Sequence, residues 1–567
     1  MGIKAYLSLF WLGLGMVGLV SSITAKPMRS QTLPQPQTPP PREYLGEINP
    51  TLPNTFQEPP NIPGTYTVRG FKFEGSTVFS NEELLQATGL TLPREISFAE
   101  LLEAASKVTK LYFDKGYITS GAYIPAQQIE SNKTGIFTIQ VVEGELGDIN
   151  IYAEGLDRDY VESRLAIATK KPLNQNRLQE ALELLRLDPL IENINAELSA
   201  GTKPGLSVLT VDVTVANSSS IQLNLDNNRN PSVGSFQRRL QVFEGNLFRL
   251  GHQASFAYSN TDGSNEFEIN YSLPINPHNG TLSANYNYTN SNIIEQPFDI
   301  LDIETTARDF NLTLRQPIVQ KATGDVYEEF ALGLTASRRE SDSSILDIPF
   351  PISLGADAEG RTRVSAVRFS QEYTQRNRTE VLAGRSQFSL GLGAFDATIN
   401  EDNPDSQFFA WRGQFLWLRL LNSANPSFSS TLLVRSDIQF AFDSLVPLEQ
   451  FGLGGQSSVR GYRQDALLGD NGVFASAEVR VPILRVSEID GILQVSPFID
   501  FGTTWNTNTE ALNPNTLVGL GVGLRWQMLD NFTARFDWGI PLVDINSGDG
   551  TWQEDGVYFS IEYKHKF

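Results

Sequence analysis

The sequence predicts two small α/β modules followed by a transmembrane antiparallel β-barrel of about 16 strands. Three observations carry that prediction. A strand–helix–helix–strand–strand order occurs twice in tandem between residues 65 and 217. From about Ser218 the helical period disappears, and apolar and polar residues alternate up to the last residue, Phe567. Charges such as Arg435 and Asp437, or Arg535 and Asp537, sit on the polar side of those segments, where a lumen would hold them. Successive side chains on a strand face opposite ways, so each segment has one apolar and one polar face. Closure of such strands pairs every backbone group, as a membrane requires.

Residues 1–25 read as a secretory signal, with Lys4 first, an apolar run from Leu7 to Val20, and small residues ending at Ala25. Residues 26–64 read as a Pro-rich linker. Its prolines, among them Pro34, Pro36, Pro39, Pro40 and Pro41, oppose helix and sheet alike.

The first module, residues 65–143, opens with a strand through Tyr66, Val68, Phe71 and Phe73. Ser80 with Glu83 three residues on forms a helix start. Phe98, Leu101, Leu102, Ala105, Val108, Leu111 and Tyr112 recur at helical spacing, and Gly116 ends that helix. Strands are expected at 121–129 and 135–143. The second module, residues 144–217, repeats the order. A strand at 147–152 precedes a helix through Tyr160, Val161, Leu165 and Ile167. A second helix from Asn174 carries Leu178, Ala181, Leu182 and Leu185 on one side, and strands follow at 191–200 and 206–215.

Residues 218–567 make the barrel. Val518, Leu520, Val522, Leu524 and Trp526 alternate with Gly519, Gly521, Gly523, Arg525 and Gln527. In the last segment Val557, Phe559, Ile561 and Tyr563 alternate with Tyr558, Ser560, Glu562 and Lys564. Trp411, Trp417, Trp505, Trp526, Trp538 and Tyr563 lie on or near strand ends, where aromatic girdles meet outer-membrane lipid. If the modules before residue 218 are periplasmic, the first strand runs outward. Short links such as 529–531 then fall inside, and the longer 290–304, 341–360 and 443–471 fall outside. The last of these is the sixth outer loop.

Composition excludes several classes. A net charge of −21 opposes nucleic-acid binding, which needs clustered Lys and Arg. The chain has no cysteine, and its 3 histidines (His252, His278, His565) lack ligand spacing, so no metal or cofactor is expected. Gly454-Gly455 is not followed by Lys-Ser/Thr, so there is no nucleotide loop. No acid/base or nucleophile pair is fixed by spacing, and no enzyme is expected.

The remaining signal is the sixth loop. Its stretch Val459-Arg460-Gly461-Tyr462 carries a single cation. On the strand at 491–505, Phe498, Asp500 and Gly502 fall on the inward face, while Ile499 and Phe501 face out. Arg460 on a loop folded inward would meet Asp500 as a bidentate pair. Gly519, Gly521 and Gly523 would leave room for the loop tip. Read locally, Arg460 fits an exposed loop arginine and Asp500 a charge that merely keeps a pore wet.

The tandem modules resemble POTRA domains. The motifs Val459-Arg460-Gly461-Tyr462 and Phe498-Ile499-Asp500-Phe501-Gly502 resemble the two signature motifs of the Omp85 superfamily. Two modules, not three or five, make the chain resemble the two-partner secretion transporters, the haemolysin secretion/activation family. That resemblance implies an Arg460–Asp500 pair inside a sixteen-stranded outer-membrane barrel, with the POTRA domains in the periplasm. It implies capture of an unfolded exoprotein, export in extended form without nucleotide, and folding outside. The alternative is an assembly factor of the same superfamily that inserts other barrels. Residues 26–64 depart from the family pattern, showing no clear plug helix unless a short one lies near 41–45.

Overall fold

The computed structural model describes residues 65–127, 134–401, 404–422, 428–507, 512–545 and 550–567. The expected signal and Pro-rich linker, with any plug helix, lie outside the described residues. The described chain forms two compact units, 65–216 and 217–567.

In the first unit β1 (Thr65–Glu74) leads to α1 (Asn81–Thr88), β2 (Arg94–Ser97), α2 (Phe98–Asp114), β3 (Gly121–Tyr123) and β4 (Thr134–Val142). The sheet order is β2-β1-β4-β3, with β1 and β4 parallel. Ser80 and Ser97 each close a capping box, with Glu83 and Glu100, so both helices start where an acceptor satisfies their first free N–H groups. α2 buries Leu101, Ala104, Ala105, Val108 and Tyr112 against the sheet.

Two expectations need correction here. β2 falls in no expected element, because 4 residues are too few to show a period; it exists by pairing with β1 from Thr65↔Ser97 to Val68↔Arg94. The strand expected at 121–129 stops at Tyr123. Beyond it the Gln127 side chain takes over, accepting from the Thr138 N–H at 2.7 Å and donating to the Thr138 carbonyl at 3.2 Å. An amide side chain there replaces a strand residue in the ladder.

The second module follows as β5 (Glu145–Ala153), α3 (Arg158–Ala166), α4 (Gln175–Arg186), β6 (Ile191–Ala200) and β7 (Leu206–Val215), with sheet order β5-β7-β6. Its core holds Val161, Leu165, Leu178, Leu182, Ile194, Leu209 and Val211. Ile118 of the first module joins that core. Asn174 caps α4 and also donates to the Lys115 carbonyl at 3.0 Å, and the Gln175 N–H donates to the Gly116 carbonyl at 2.8 Å. The two modules therefore share a seam of apolar contact and hydrogen bonds.

The barrel strands are β8 (Ser219–Asp226), β9 (Gln237–Leu247), β10 (His252–Asn260), β11 (Ser264–Pro274), β12 (Thr281–Asn292), β13 (Ile303–Thr323) and β14 (Val326–Ile345). A two-residue β15 (Ile348–Pro349) extends the β14 hairpin, and β16 (Arg361–Arg376), β17 (Glu380–Leu392), β18 (Phe409–Leu420) and β19 (Thr431–Ala441) continue. The sixth loop contains β20 (Phe451–Leu453) and β21 (Leu467–Gly469); then come β22 (Asn471–Val486), β23 (Gly491–Trp505), β24 (Thr516–Met528), β25 (Phe532–Pro541) and β26 (Val557–Lys566). With β15 as an extension and β20–β21 as a separate ribbon, 16 antiparallel strands close through β26 and β8, from Ser560↔Asp226 to Lys566↔Ser220. Leu223, Phe256, Phe310, Phe388, Ile499 and Trp538 stand exposed on the outer face, as lipid contact requires.

One buried carboxylate governs the first module. Glu143, just past β4, accepts from the Thr77 N–H (2.7 Å), the Val78 N–H (3.1 Å) and the Tyr112 hydroxyl (2.9 Å), and from the Thr77 hydroxyl. Burial pushes its pKa up, but these donors outweigh burial and hold the carboxyl below its usual range. A depressed native value stabilises the fold above the unfolded pKa, about 4.3, and that stabilisation is lost as pH falls through the native value. Relative to the intrinsic rate at each pH, amide exchange at Thr77 and Val78 in the whole protein should accelerate over that window. Glu143→Ala should accelerate it at neutral pH, by about 1–3 kcal/mol of lost protection.

Candidate functional site

The sixth loop, residues 442–470, leaves β19 and returns as β22. β20 and β21 pair within it, from Phe451↔Gly469 to Leu453↔Leu467, and carry residues 454–466 as a tip. Phe451, Leu453, Val459 and Tyr462 pack with Phe474 of β22 and Leu517 of β24 in one apolar cluster. The tip is thus held inside the barrel by burial before any charge is considered. Gly461 has φ +107°, and the Pro541 nitrogen lies 3.0 Å from where its Cβ would stand, so only glycine fits there.

That turn aims Arg460 at the wall. The residue is 0 % exposed. Its Nε donates to Asp500 Oδ2 at 2.7 Å, its Nη2 to Oδ1 at 2.9 Å, and its backbone N–H to Oδ2 at 3.1 Å. The Ser476 hydroxyl supplies Asp500 with a fourth donor at 2.6 Å. Arg460 Nη1 donates to Glu478 Oε2 at 2.8 Å and lies 3.7 Å from Asp537 Oδ1. The guanidinium carbon sits 3.3 Å from the Phe498 ring centroid, a cation–π contact on the remaining face.

Two further arginines join the cluster. Arg480 donates to Glu478 at 2.7 Å, and Arg535 reaches Glu478 at 3.2 Å and Asp537 at 2.7 Å. Arg460, Arg480 and Arg535 therefore face Asp500, Glu478 and Asp537. Buried ions are tolerated when paired and fully hydrogen-bonded, and removing one partner costs about 3–5 kcal/mol. Neighbouring contacts fix the loop backbone. Tyr558 of β26 accepts from the Gly461 N–H at 2.9 Å and donates to the Tyr462 carbonyl at 2.5 Å. Tyr462 donates to the Val518 carbonyl at 2.9 Å and accepts from the Val543 N–H at 3.0 Å. Gln456 donates to Asp537 at 2.9 Å.

The glycines divide differently from the sequence expectation. Gly519 does clear the loop, since a Cβ there would overlap the Arg460 carbonyl. Gly521 and Gly523 do not touch the loop: a Cβ would overlap the Phe498 ring and the Trp538 carbonyl in the first case, and the Asp537 carboxylate in the second. They make room for the groups that receive Arg460. Gly502 clears Leu453 and Val459, and Gly539, which sequence reasoning missed, lies 2.6 Å (as an ideal Cβ) from the Gly461 nitrogen.

Sequence reasoning also missed Glu478, Ser476, Gln456 and Tyr558 as site residues. For Ser476, Glu478 and Tyr558 the signal is the same period of two that exposes Asp500: Ser476, Glu478 and Arg480 share one face of β22, and Arg535, Asp537 and Gly539 share one face of β25; Gln456, on the loop tip, carries no such signal. Register brings them together, with Ser476 opposite Asp500, Asp500 opposite Gly519, and Gly523 opposite Asp537. Among the described residues no group of three or more His, Asp or Glu side chains is arranged to hold a metal.

Residues 205–526 match the family described as haemolysin secretion/activation protein ShlB/FhaC/HecB, and residues 66–144 match the POTRA domain, ShlB-type. The chain is 23% identical over 517 residues to the outer membrane transporter CdiB of Dickeya dadantii (strain 3937), covering 86% of this chain and 85% of that one. It is 21% identical over 485 residues to the heme/hemopexin transporter protein HuxB of Haemophilus influenzae (strain 86-028NP), covering 79% and 78%. Its fold is similar to solved CdiB from Escherichia coli (TM-score 0.64, 20% identity, 92% and 94% covered). It is also similar to BamA from Haemophilus ducreyi lacking POTRA domains 1-3 (TM-score 0.52, 15% identity, 88% and 100% covered).

Gly519→Ala tests the close approach of loop and wall. Overpacking against backbone should displace the tip at a cost of about 1–3 kcal/mol. Tryptic cleavage after Arg460 or Arg463 should appear in barrels that still show heat-modifiable migration. Gly384→Ala, whose Cβ would find its nearest neighbour at 3.8 Å, should leave the loop protected.

Proposed function

The chain belongs to the haemolysin secretion/activation protein (ShlB/FhaC/HecB) family, and we propose that it captures one unfolded exoprotein in the periplasm and exports it through its barrel. In this reading Arg460, paired with Asp500, holds the sixth outer loop in the secretion-competent position. Members of the family are outer-membrane transporters with periplasmic POTRA domains, and they are secretion proteins, not an enzyme family.

The observation that carries the proposal is the full burial of the Arg460–Asp500 pair on one wall, facing a polar cavity along the opposite wall. A polar cavity of about 620 Å³ is lined there by Glu268, Asn270, Asn285, Asn311, Arg315 and Arg385, among others. Amide and charged side chains offer an extended polypeptide hydrogen bonds without demanding a sequence. On the periplasmic side, β5 and β6 are the edge strands of the second sheet. A free edge adds an extended peptide as one more strand through main-chain hydrogen bonds. Folding of the client outside supplies direction, so no nucleotide is required.

Deleting the chain should remove one large protein from the culture medium, and that protein is the client. Arg460→Ala and Asp500→Asn should each abolish most of its export while heat-modifiable barrels persist. Arg460→Lys should also fail, because a lysine keeps the charge and loses the fork. Wild-type export by Arg460→Ala at normal barrel abundance would refute the pinning role. Loss of other outer-membrane barrels on deletion, with the secreted proteins unchanged, would establish the assembly-factor alternative instead.

A further inference from the structure

The sixth loop touches a second wall of the barrel through a contact that the Arg460 motif does not involve. Before its tip the loop makes a short 3-10 turn, Pro447–Glu449. Glu449 is 1 % exposed. Its Oε1 accepts from Arg368 Nη2 of β16 at 2.8 Å and from Arg339 Nη1 of β14 at 3.4 Å. Arg339 also donates to the Leu448 carbonyl. Leu445, Val446 and Leu448 pack the same arm on Val364 and Ala366 of β16, Phe408 and Ala410. The loop is therefore a strut, tied to β22–β25 at one end and to β14–β16 at the other.

The two ties differ in how well they are satisfied. Each oxygen of Asp500 accepts two hydrogen bonds. Glu449 Oε2, although buried, accepts none. Release also differs in consequence. If Arg460 withdrew, it would leave Asp500 without its cation. If Glu449 withdrew, Arg339 would keep Asp309 at 3.2 Å, and Arg368 would keep the hydroxyls of Ser337 at 3.2 Å and Ser389 at 3.0 Å. Arg339 and Arg368 line the polar cavity themselves, so the arm that Glu449 holds borders the open side of the lumen.

We propose that Glu449 is a positioning residue, the releasable latch of the sixth loop, and that Arg460 is its fixed pivot. Opening begins on the β14–β16 wall: the Pro447–Glu449 arm leaves Arg368 and Arg339, and the cavity widens toward the loop while the Arg460–Asp500 pair stays closed. The proposal rests on the export reading for its purpose, but the latch is a property of the pore alone.

The test is single-channel conductance of the purified full chain in planar bilayers, which needs no client. Glu449→Gln removes the charge with little change of shape and should raise the open fraction about tenfold, as expected for one lost charge-assisted contact. Arg368→Gln removes the same contact from the wall and should do likewise. The double variant should open no further than either single one, since the two side chains act as a unit. Arg460→Ala should lower the temperature of barrel opening on heat-modifiability gels by more than Glu449→Gln does. Unmodified conductance in both single variants, additive effects in the double variant, or a larger thermal loss from Glu449→Gln would each overturn the latch. Altered conductance in these variants, with no secreted protein lost when the whole chain is deleted, would leave the latch standing and refute the export reading. Unmodified conductance in both single variants, with a secreted protein lost on deletion, would overturn the latch and leave the export reading standing.

Discussion

A guanidinium taken out of water needs opposite charge on every polar edge, and Arg460 dictates where that charge must stand. Asp500 on β23, Glu478 on β22 and Asp537 on β25 meet it, with Phe498 beneath its plane. The side chains of these three strands converge because β22, β23, β24 and β25 pair in this register. The glycines at 519, 521 and 539 then become necessary, because a loop backbone and a phenyl ring must lie against the wall between the carboxylates. Tyr558 extends the dependence to β26, the strand that closes on β8. Loop position and barrel closure are in this way parts of one electrostatic arrangement.

The opposite wall follows another logic. Amides and charges from β9 to β18 line open space there and bond mainly to one another along the wall. A surface of that kind leaves many hydrogen-bonding groups facing the open space. One side of the lumen is packed and specific, and the other is polar and permissive. The sixth loop spans between them, and Glu449 is its contact with the permissive side.

Much of this architecture is legible in the sequence because it depends on local repeat. Ser80 and Ser97 cap helices through residues three positions away, and α2 buries the face that its spacing of three and four marks. Ile499 and Phe501 face outward and Asp500 inward because strand side chains alternate. β2 escaped notice because 4 residues carry no period, and Gln127 ended β3 with a side-chain contact that no pattern announces.

The sequence by itself determined which face of each segment is apolar, how many strands there are to close, and which arginine and aspartate carry the recognisable motifs. Those features repeat over two to seven residues, within the reach of neighbouring backbone geometry. Only the tertiary structure decided that Glu478 and Asp537 complete the charge around Arg460, that Gly521 and Gly523 serve the wall instead of the loop, and that Glu449 meets Arg339 and Arg368. The physical reason is register. A slip of one residue on any strand would turn its whole inward set toward lipid, and nothing local fixes the pairing of residues tens or hundreds of positions apart.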